Sequence, residues 1–136
     1  MKVTQAARLP VRAGESPWTP EELAEVRGLL EIEIEVRKAE LRENEDEVAE
    51  RLTDPVEGAG DDPADVGAKA FQREHDLALA YNTRDLLAMS ERAIERMDAG
   101  TYGACESCGQ AIGKARLQAF PRATLCVTCK QREERR

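Results

Sequence analysis

Residues 105–129 read CESCGQAIGKARLQAFPRATLCVTC and contain all four cysteines of the chain. They form two Cys-x-x-Cys pairs, Cys105 with Cys108 and Cys126 with Cys129, separated by 17 residues. Two such pairs at this distance are typical of a zinc site in which four thiolates bind one ion tetrahedrally at about 2.3 Å. Four sulfur ligands leave no open position for water or substrate. The spacing therefore predicts one structural Zn²⁺ ion.

Several residues next to the cysteines suit such a site. Gly103 and Gly109 flank the first pair, where a tight turn can need a positive φ. Ile112, Leu117 and Phe120 are the apolar residues available nearby, and we expect them to pack behind the metal.

Other uses of paired cysteines compete with zinc binding, namely a redox dithiol and an iron–sulfur cluster, but the paired spacing favours zinc. Residues 1–14 lack the apolar stretch of a secretion signal, and no stretch approaches the roughly 20 apolar residues of a membrane span. We therefore expect a cytoplasmic protein without a membrane partner. Its cysteines would be kept reduced and available for metal.

The rest of the sequence has the composition of an extended helical protein. Of its 136 residues 35% are charged and only 4% are aromatic, which leaves little large apolar surface for a thick globular core. Good helix formers dominate, and no stretch alternates apolar and polar residues as a long strand does. The predicted fold class is mostly α, a long antiparallel coiled-coil hairpin followed by the small C-terminal four-cysteine zinc finger.

The first arm of the hairpin is predicted from Thr19 to about Leu52. Thr19 can act as the N-cap, Pro20 as the first helical residue and Glu22 as the capping-box partner, with Trp18 at the hydrophobic-staple position. Apolar residues then recur at intervals of three, four or seven, as on one face of a helix. They are Leu23, Val26, Leu30, Ile34, Leu41, Val48 and Leu52.

The second arm is predicted to begin at Pro63, with Asp62 as its capping residue, and to run to about Ala99, where Gly100 stops it. Between the arms, residues 54–65 hold two Pro and two Gly, which no helix can continue through. This segment is the predicted acidic tip. The predicted apolar stripe of the second arm is Ala70, Leu77, Ala80, Leu87, Ile94 and Met97.

These patterns divide the chain into three parts: a flexible N-terminal tail (1–18), the hairpin (19–100), and a zinc finger with a short C-terminal helix (101–136). The tail is predicted because its residues include two prolines and no sustained period. The formal charge of -7 is uneven, since residues 54–65 sum to -5 and residues 101–136 to +4. An acidic total argues against general binding to nucleic-acid phosphates. We expect the acidic part to meet a protein or a metal-bearing site.

The stretch from Gly100 to Lys130, GTYGACESCGQAIGKARLQAFPRATLCVTCK, resembles the signature of the DksA/TraR family of bacterial transcription factors. The preceding hairpin also resembles that family, so the likeness covers about residues 19–136. It implies a regulator, not an enzyme, that binds RNA polymerase without direct DNA binding. Such proteins insert the coiled coil into the polymerase secondary channel, so that its tip approaches the catalytic magnesium.

The tip motif of the family, Asp-x-x-Asp-x-Ala, falls at Asp62-Pro-Ala-Asp65-Val-Gly67 when counted back from the first cysteine. The resemblance implies that Asp62 and Asp65 act at the polymerase active centre and modulate initiation. Both aspartates also suit capping of the second arm, worth about 1 kcal/mol, and the two roles are compatible. Gly67 stands where the family has alanine, which bears on whether transcriptional output matches that of other members.

Some members of the family bind the alarmone ppGpp jointly with polymerase, through basic residues on the second arm and just after the last cysteine. Lys130 matches the second of these positions. Asn82 and Met89 stand at the aligned positions of the second arm, where those members carry basic residues. The resemblance therefore implies Lys130 as a contact for ppGpp or for polymerase, without the rest of a ppGpp site.

Three alternatives stay open from the sequence. One is a transcript-cleavage factor at the same channel, whose acids would help to hold a second magnesium. Another is a nucleic-acid-binding zinc-finger module with the coiled coil as a handle, although its cations lack interleaved exposed aromatic side chains for stacking. These cations are Lys114, Arg116, Arg122, Lys130, Arg132, Arg135 and Arg136. The third is an adaptor or a dimer without a polymerase role.

Overall fold

The computed structural model describes residues 3–53 and 63–135. These ranges contain the helices α1 (Val3–Ala6), α2 (Pro20–Thr53), α3 (Pro63–Ala99), α4 (Lys114–Ala119) and α5 (Val127–Glu134). Within them the one β-type pairing is an isolated antiparallel bridge between two alanines of the finger, and no helix is long and apolar enough to cross a membrane. Helices α2 and α3 are the two arms of the predicted antiparallel hairpin. The mostly α fold class is confirmed.

The N-terminus of α2 is a capping box. The backbone N–H of Thr19 donates to Glu22 Oε1 at 3.0 Å, and the backbone N–H of Glu22 donates to Thr19 Oγ1 at 3.1 Å. These bonds satisfy donors that the start of a helix otherwise leaves unpaired. Trp18 and Leu23 are both buried in one core cluster. The predicted start of the first arm is confirmed, and the burial of Trp18 and Leu23 is consistent with the predicted staple.

The C-terminus of α3 is a Schellman motif. Gly100 has a φ of 77°, its N–H donates to Met97 O at 3.2 Å, and the N–H of Thr101 donates to Arg96 O at 2.9 Å. The left-handed conformation favours glycine, which has no Cβ to clash. The helix therefore ends where the sequence predicts. The capping role predicted for Asp62 at the other end lies outside the described residues.

The chain forms two compact units, Met1–Ile34 with Met89–Arg136, and Glu35–Ala88. We call the first the finger unit and the second the hairpin unit. The core of the finger unit combines side chains from the N-terminal segment, from both arms and from the finger. Its buried members are Ala6, Leu9, Trp18, Leu23, Val26, Leu30, Ala93, Met97, Tyr102, Cys105, Ile112, Leu117 and Cys129.

The N-terminal segment is packed, in contrast to the flexible tail predicted for residues 1–18. Ala6, Leu9 and Trp18 are 0%, 3% and 1% exposed, and they belong to the core of the finger unit. The prediction of a tail is wrong for this segment because it relied on the lack of a helical period. Irregularly spaced apolar side chains can still be buried when distant parts of the chain supply the surface that covers them.

The buried stripe of α3 differs from the predicted apolar one. Asp76, Thr83, Ser90 and Met97 are buried and recur every seven residues, whereas Leu77, which the prediction placed in the stripe, is 56% exposed. The seven-residue spacing was visible in the sequence. Ala80 and Met97 of the predicted stripe are buried, but the prediction missed Asp76, Thr83 and Ser90 because polar residues were not counted as core positions.

Trp18→Ala is expected to destabilise the finger unit strongly. The Trp18 ring lies 6.2 Å from the Tyr102 ring, centroid to centroid, at an interplanar angle of 53°, and its removal should cost about 3–5 kcal/mol. A thermal melt should show a Tm lower by about 10 °C or more. Trp18→Phe is the matched control, because the indole Nε1 has no hydrogen-bond partner among the described residues. An alanine variant as stable as the wild type would contradict the packing of this segment.

Candidate zinc centre

The structure brings the four cysteine sulfurs together. The Sγ atoms of Cys105, Cys108, Cys126 and Cys129 all lie within 4.8 Å of one another, and Cys108 Sγ is 3.8 Å from Cys126 Sγ. Four sulfurs at about 2.3 Å from a central ion lie roughly 3.8 Å apart in a tetrahedron. Cys105 and Cys129 are buried, while Cys108 is exposed. The arrangement fits one tetrahedral zinc ion near the surface of the finger.

The first cysteine pair lies in a tight turn. The N–H of Cys105 donates to Gln110 O at 2.8 Å, and the N–H of Gly109 donates to Cys105 O at 2.9 Å. Gly103 and Gly109 have φ values of 101° and 77°, a region that favours glycine. The turn roles predicted for both glycines are thus present, and they curl the backbone so that two sulfurs point the same way.

The second cysteine pair lies at the start of α5. Cys126 is the N-cap residue of this helix and Cys129 lies in its first turn, with Lys130 N–H donating to Cys126 O at 2.9 Å. The partial positive charge at a helix N-terminus stabilises nearby thiolates. The N–H of Glu106 donates to Thr124 O at 2.9 Å, which joins the first pair to the segment just before the second.

Backbone N–H groups and neighbouring sulfurs set the acidity of the thiols. Burial raises the pKa of Cys105, but N–H groups of Cys108, Cys126 and Ser107 together outweigh it and bring that pKa down to about 6. The N–H of Cys129 lowers the pKa of Cys126. The pKa of Cys129 is instead raised, chiefly by a side-chain hydrogen bond with Cys126 that favours the protonated thiol. A divalent cation removes this conflict by stabilising all the thiolates.

Two of the three apolar residues expected behind the metal are buried there. Ile112 is 2% exposed and Leu117 is 0% exposed, but Phe120 is 62% exposed. Phe120 is the C-cap residue of α4, and the Arg116 guanidinium lies over its ring at 5.7 Å from the centroid. Two expectations are therefore wrong: that Phe120 packs behind the metal, and that the cations of the finger lack an interleaved exposed aromatic side chain.

Glu15 ties the N-terminal segment to the start of α4. Its Oε1 accepts hydrogen bonds from the backbone N–H groups of Arg12 at 2.7 Å and Lys114 at 2.9 Å. Its Oε2 accepts one from the N–H of Ala115 at 3.0 Å. The N–H of Ala115 is the largest cause that lowers the pKa of the Glu15 carboxyl. The sequence carries no signal for this contact, because Glu15 and Ala115 are separated by 100 residues.

Lys114 also connects the finger to the N-terminal segment, through its own nearly buried ammonium group. It is 9% exposed, and its Nζ donates to Ser16 Oγ at 3.0 Å, Pro17 O at 3.4 Å and Glu22 Oε1 at 3.0 Å. A buried charge needs such partners, since desolvation would otherwise be costly. Lys114, taken from sequence as a surface cation of the finger, is instead a structural residue that joins finger, N-terminal segment and α2.

Glu15→Gln is expected to lower the Tm at pH 7 and to have little effect in acid. The folded pKa of Glu15 is below its ordinary value of 4.5, so its stabilisation is present above that value and is lost as the pH falls through the folded pKa. We expect about 1 kcal/mol at pH 7. Glu25→Gln, at an exposed position of α2, is the control. A Glu15→Gln deficit that grows towards pH 3 would contradict this assignment.

The predicted tip residues lie at the start of α3. Asp65 is exposed in the first turn of this helix, and Asp62 lies outside the described residues. Gly67 is helical, and a methyl group added to it would meet no other atom within 4 Å. The backbone therefore has room for the alanine of the family motif at this position.

The residues linked with ppGpp are distributed over both units. Lys130 is exposed on α5 in the finger unit, Met89 is half-buried in the same unit, and Asn82 is exposed in the hairpin unit. No basic side chain stands at either α3 position. The structure adds no ligand geometry to the role predicted for Lys130.

A helical hairpin joined to two cysteine turns with converging sulfurs defines a four-cysteine zinc-finger protein. A family model described as the prokaryotic dksA/traR C4-type zinc finger matches residues 100–135. The RNA polymerase-binding transcription factor DksA of Escherichia coli K12 is 33% identical over 121 residues, 88% of this chain and 76% of that protein. The chain belongs to the DksA/TraR family, and its cofactor is one structural zinc ion.

Two further relatives show how far the likeness extends. A DksA of Caulobacter vibrioides is 43% identical over 77 residues, which is 54% of each chain, so the match spans about half the length of that relative. The solved structure of transcription factor DksA2 from Pseudomonas aeruginosa superposes with a TM-score of 0.69 at 31% identity, over 85% of both chains. The likeness in structure thus includes the hairpin as well as the finger.

Proposed function

We propose that this protein binds RNA polymerase and regulates the initiation of transcription. The observation that carries the proposal is the likeness to a relative named as an RNA polymerase-binding transcription factor, across most of both chains. The closed four-sulfur site supports a binding role over catalysis, because it leaves no position for a substrate. A role at the polymerase places the protein in the cytoplasm and needs no direct contact with DNA.

In this proposal the hairpin enters the secondary channel of polymerase and the tip acts near the catalytic magnesium. Asp62 and Asp65 are the residues proposed to act there. A carboxylate close to a metal ion in a confined site acts through its charge, because Coulomb interactions are strong at short range and low dielectric. The exposed position of Asp65 in the first turn of α3 is compatible with such a contact.

The finger is proposed to add a surface for the partner. Cys105, Cys108, Cys126 and Cys129 are the proposed zinc ligands, since their sulfurs converge as one ion requires. Lys130 is proposed as a contact for polymerase or for ppGpp bound beside it.

A titration of purified RNA polymerase with the labelled wild-type protein tests the proposal. Saturable binding, together with altered transcription from purified templates, is the expected result. Cleavage of RNA in stalled elongation complexes would assign the protein to the alternative class of cleavage factors. Absence of polymerase binding, with a salt-dependent shift of bare DNA or RNA, would overturn the proposal in favour of a nucleic-acid-binding module.

A further inference from the structure

The hairpin unit presents an exposed stripe of unusual composition on α3. It consists of Arg73, Leu77, Tyr81 and Arg84, which we call the docking stripe. Leu77 and Tyr81 are 56% and 61% exposed, and both arginines are exposed. At 3.6 residues per turn, the four positions fall within roughly 80° of one another around the helix. Their side chains therefore form one continuous surface.

The two arginines of the docking stripe have no ion-pair partner among the described residues. Neither Arg73 nor Arg84 forms an ion pair within the part of the chain that the structure describes, although residues 35–88 carry 15 acidic and seven basic side chains. Helical ion pairs form between residues three or four apart. At these distances Arg84 has only apolar neighbours, which are Ala80, Tyr81, Leu87 and Ala88.

This composition is that of a binding hot spot. Tyrosine and arginine are enriched among the few residues that supply most of the energy of a protein interface, and arginine adds an apolar stem to its charge. Arg73 and Arg84 are separated by 11 residues, or roughly 16 Å along the helix. A matching partner has an apolar patch for Leu77 and Tyr81, with a carboxylate at either end.

We propose that the docking stripe is the surface through which the hairpin unit contacts RNA polymerase, at an apolar patch flanked by carboxylates. The inference rests on the proposed function, which supplies the partner. Because the hairpin unit is acidic as a whole, most of its surface repels carboxylates, whereas the two guanidinium groups attract them. Charge complementarity of this kind fixes which face and which register of a helix a partner accepts.

Two double variants test the two parts of the stripe in a polymerase titration. Leu77→Ala with Tyr81→Ala, and Arg73→Gln with Arg84→Gln, are each expected to raise the Kd by more than about tenfold. Only in the arginine variant should the Kd for polymerase also depend less on salt concentration, because salt screens charges and not apolar contacts. All four residues are exposed, so the far-UV spectrum and the Tm should match the wild type.

Two matched controls remove similar side chains outside the stripe. Phe71→Ala changes a 71% exposed residue of α3 that lies roughly 100° around the helix from Leu77 and Tyr81 on average. Arg42→Gln removes an exposed arginine of α2 in the same unit. Both controls should bind polymerase within about twofold of the wild type, since their side chains lie outside the buried centre that carries most binding energy.

The outcomes separate the inference from the proposed function. If the wild type binds polymerase and both double variants bind equally well, the docking stripe is overturned and the proposed function stands. If the wild type does not bind polymerase, both are overturned. A wild-type dimer that either double variant converts to a monomer in sedimentation would assign the stripe to a second copy of this chain, and would overturn the polymerase contact.

Discussion

Cys126→Ser is expected to abolish tight zinc binding and to unfold the finger. Structural zinc contributes an apparent free energy of about 10–16 kcal/mol in small domains, more than most domains have in total stability. The Sγ of Cys126 is 3.8 Å from that of Cys108, so its loss opens one corner of the tetrahedron. Metal analysis of protein purified in reducing buffer without chelator should fall from one zinc per chain to near zero.

The structure predicts that the unfolding reaches beyond the finger. Tyr102 and Leu117 share a core with Trp18, so loss of the finger exposes the only tryptophan of the chain. Tryptophan fluorescence should therefore shift to the red in the Cys126→Ser variant and in wild-type protein stripped of metal. The matched control is Thr128→Ala, which changes an exposed residue between two cysteines. A Cys126→Ser variant that keeps its zinc and its emission spectrum would disprove the assignment of the ligand.

Asp62→Asn combined with Asp65→Asn is expected to abolish the effect on initiation while polymerase affinity stays nearly unchanged. Two side chains at the tip are a small part of a contact made by a whole hairpin, but they carry the charge proposed to act at the active centre. The amide keeps the size of the carboxylate and loses its charge. Because asparagine caps a helix about as well as aspartate, the Tm should not change.

Three measurements on the same double variant distinguish charge from capping: a thermal melt, a polymerase titration and an initiation assay. Glu74→Gln is a control, since it removes an exposed carboxylate from α3 away from the tip. If the double variant regulates initiation like the wild type, the tip aspartates are only helix caps. That result would refute the mechanism and leave the family membership intact.

The sequence by itself determined the parts whose signals are local. Capping residues, prolines and Gly100 act within one helical turn, so both arms begin or end where they were predicted to. The spacing of the two cysteine pairs predicted that the four sulfurs converge. Each pair needs only a tight turn to direct two sulfurs at one metal ion. The resemblance to the family was also visible in the sequence, because the signature of the finger is one continuous stretch of residues.

Only the tertiary structure decided how distant segments combine. Glu15 and Lys114 are nearly 100 residues apart, yet their side chains join the N-terminal segment to the finger. The same holds for Phe120, whose exposure depends on which surfaces the rest of the finger unit covers. No local pattern encodes such contacts, because burial depends on surfaces that other parts of the chain supply after folding. A charge buried in this way is stable only when its partners arrive from elsewhere in the chain.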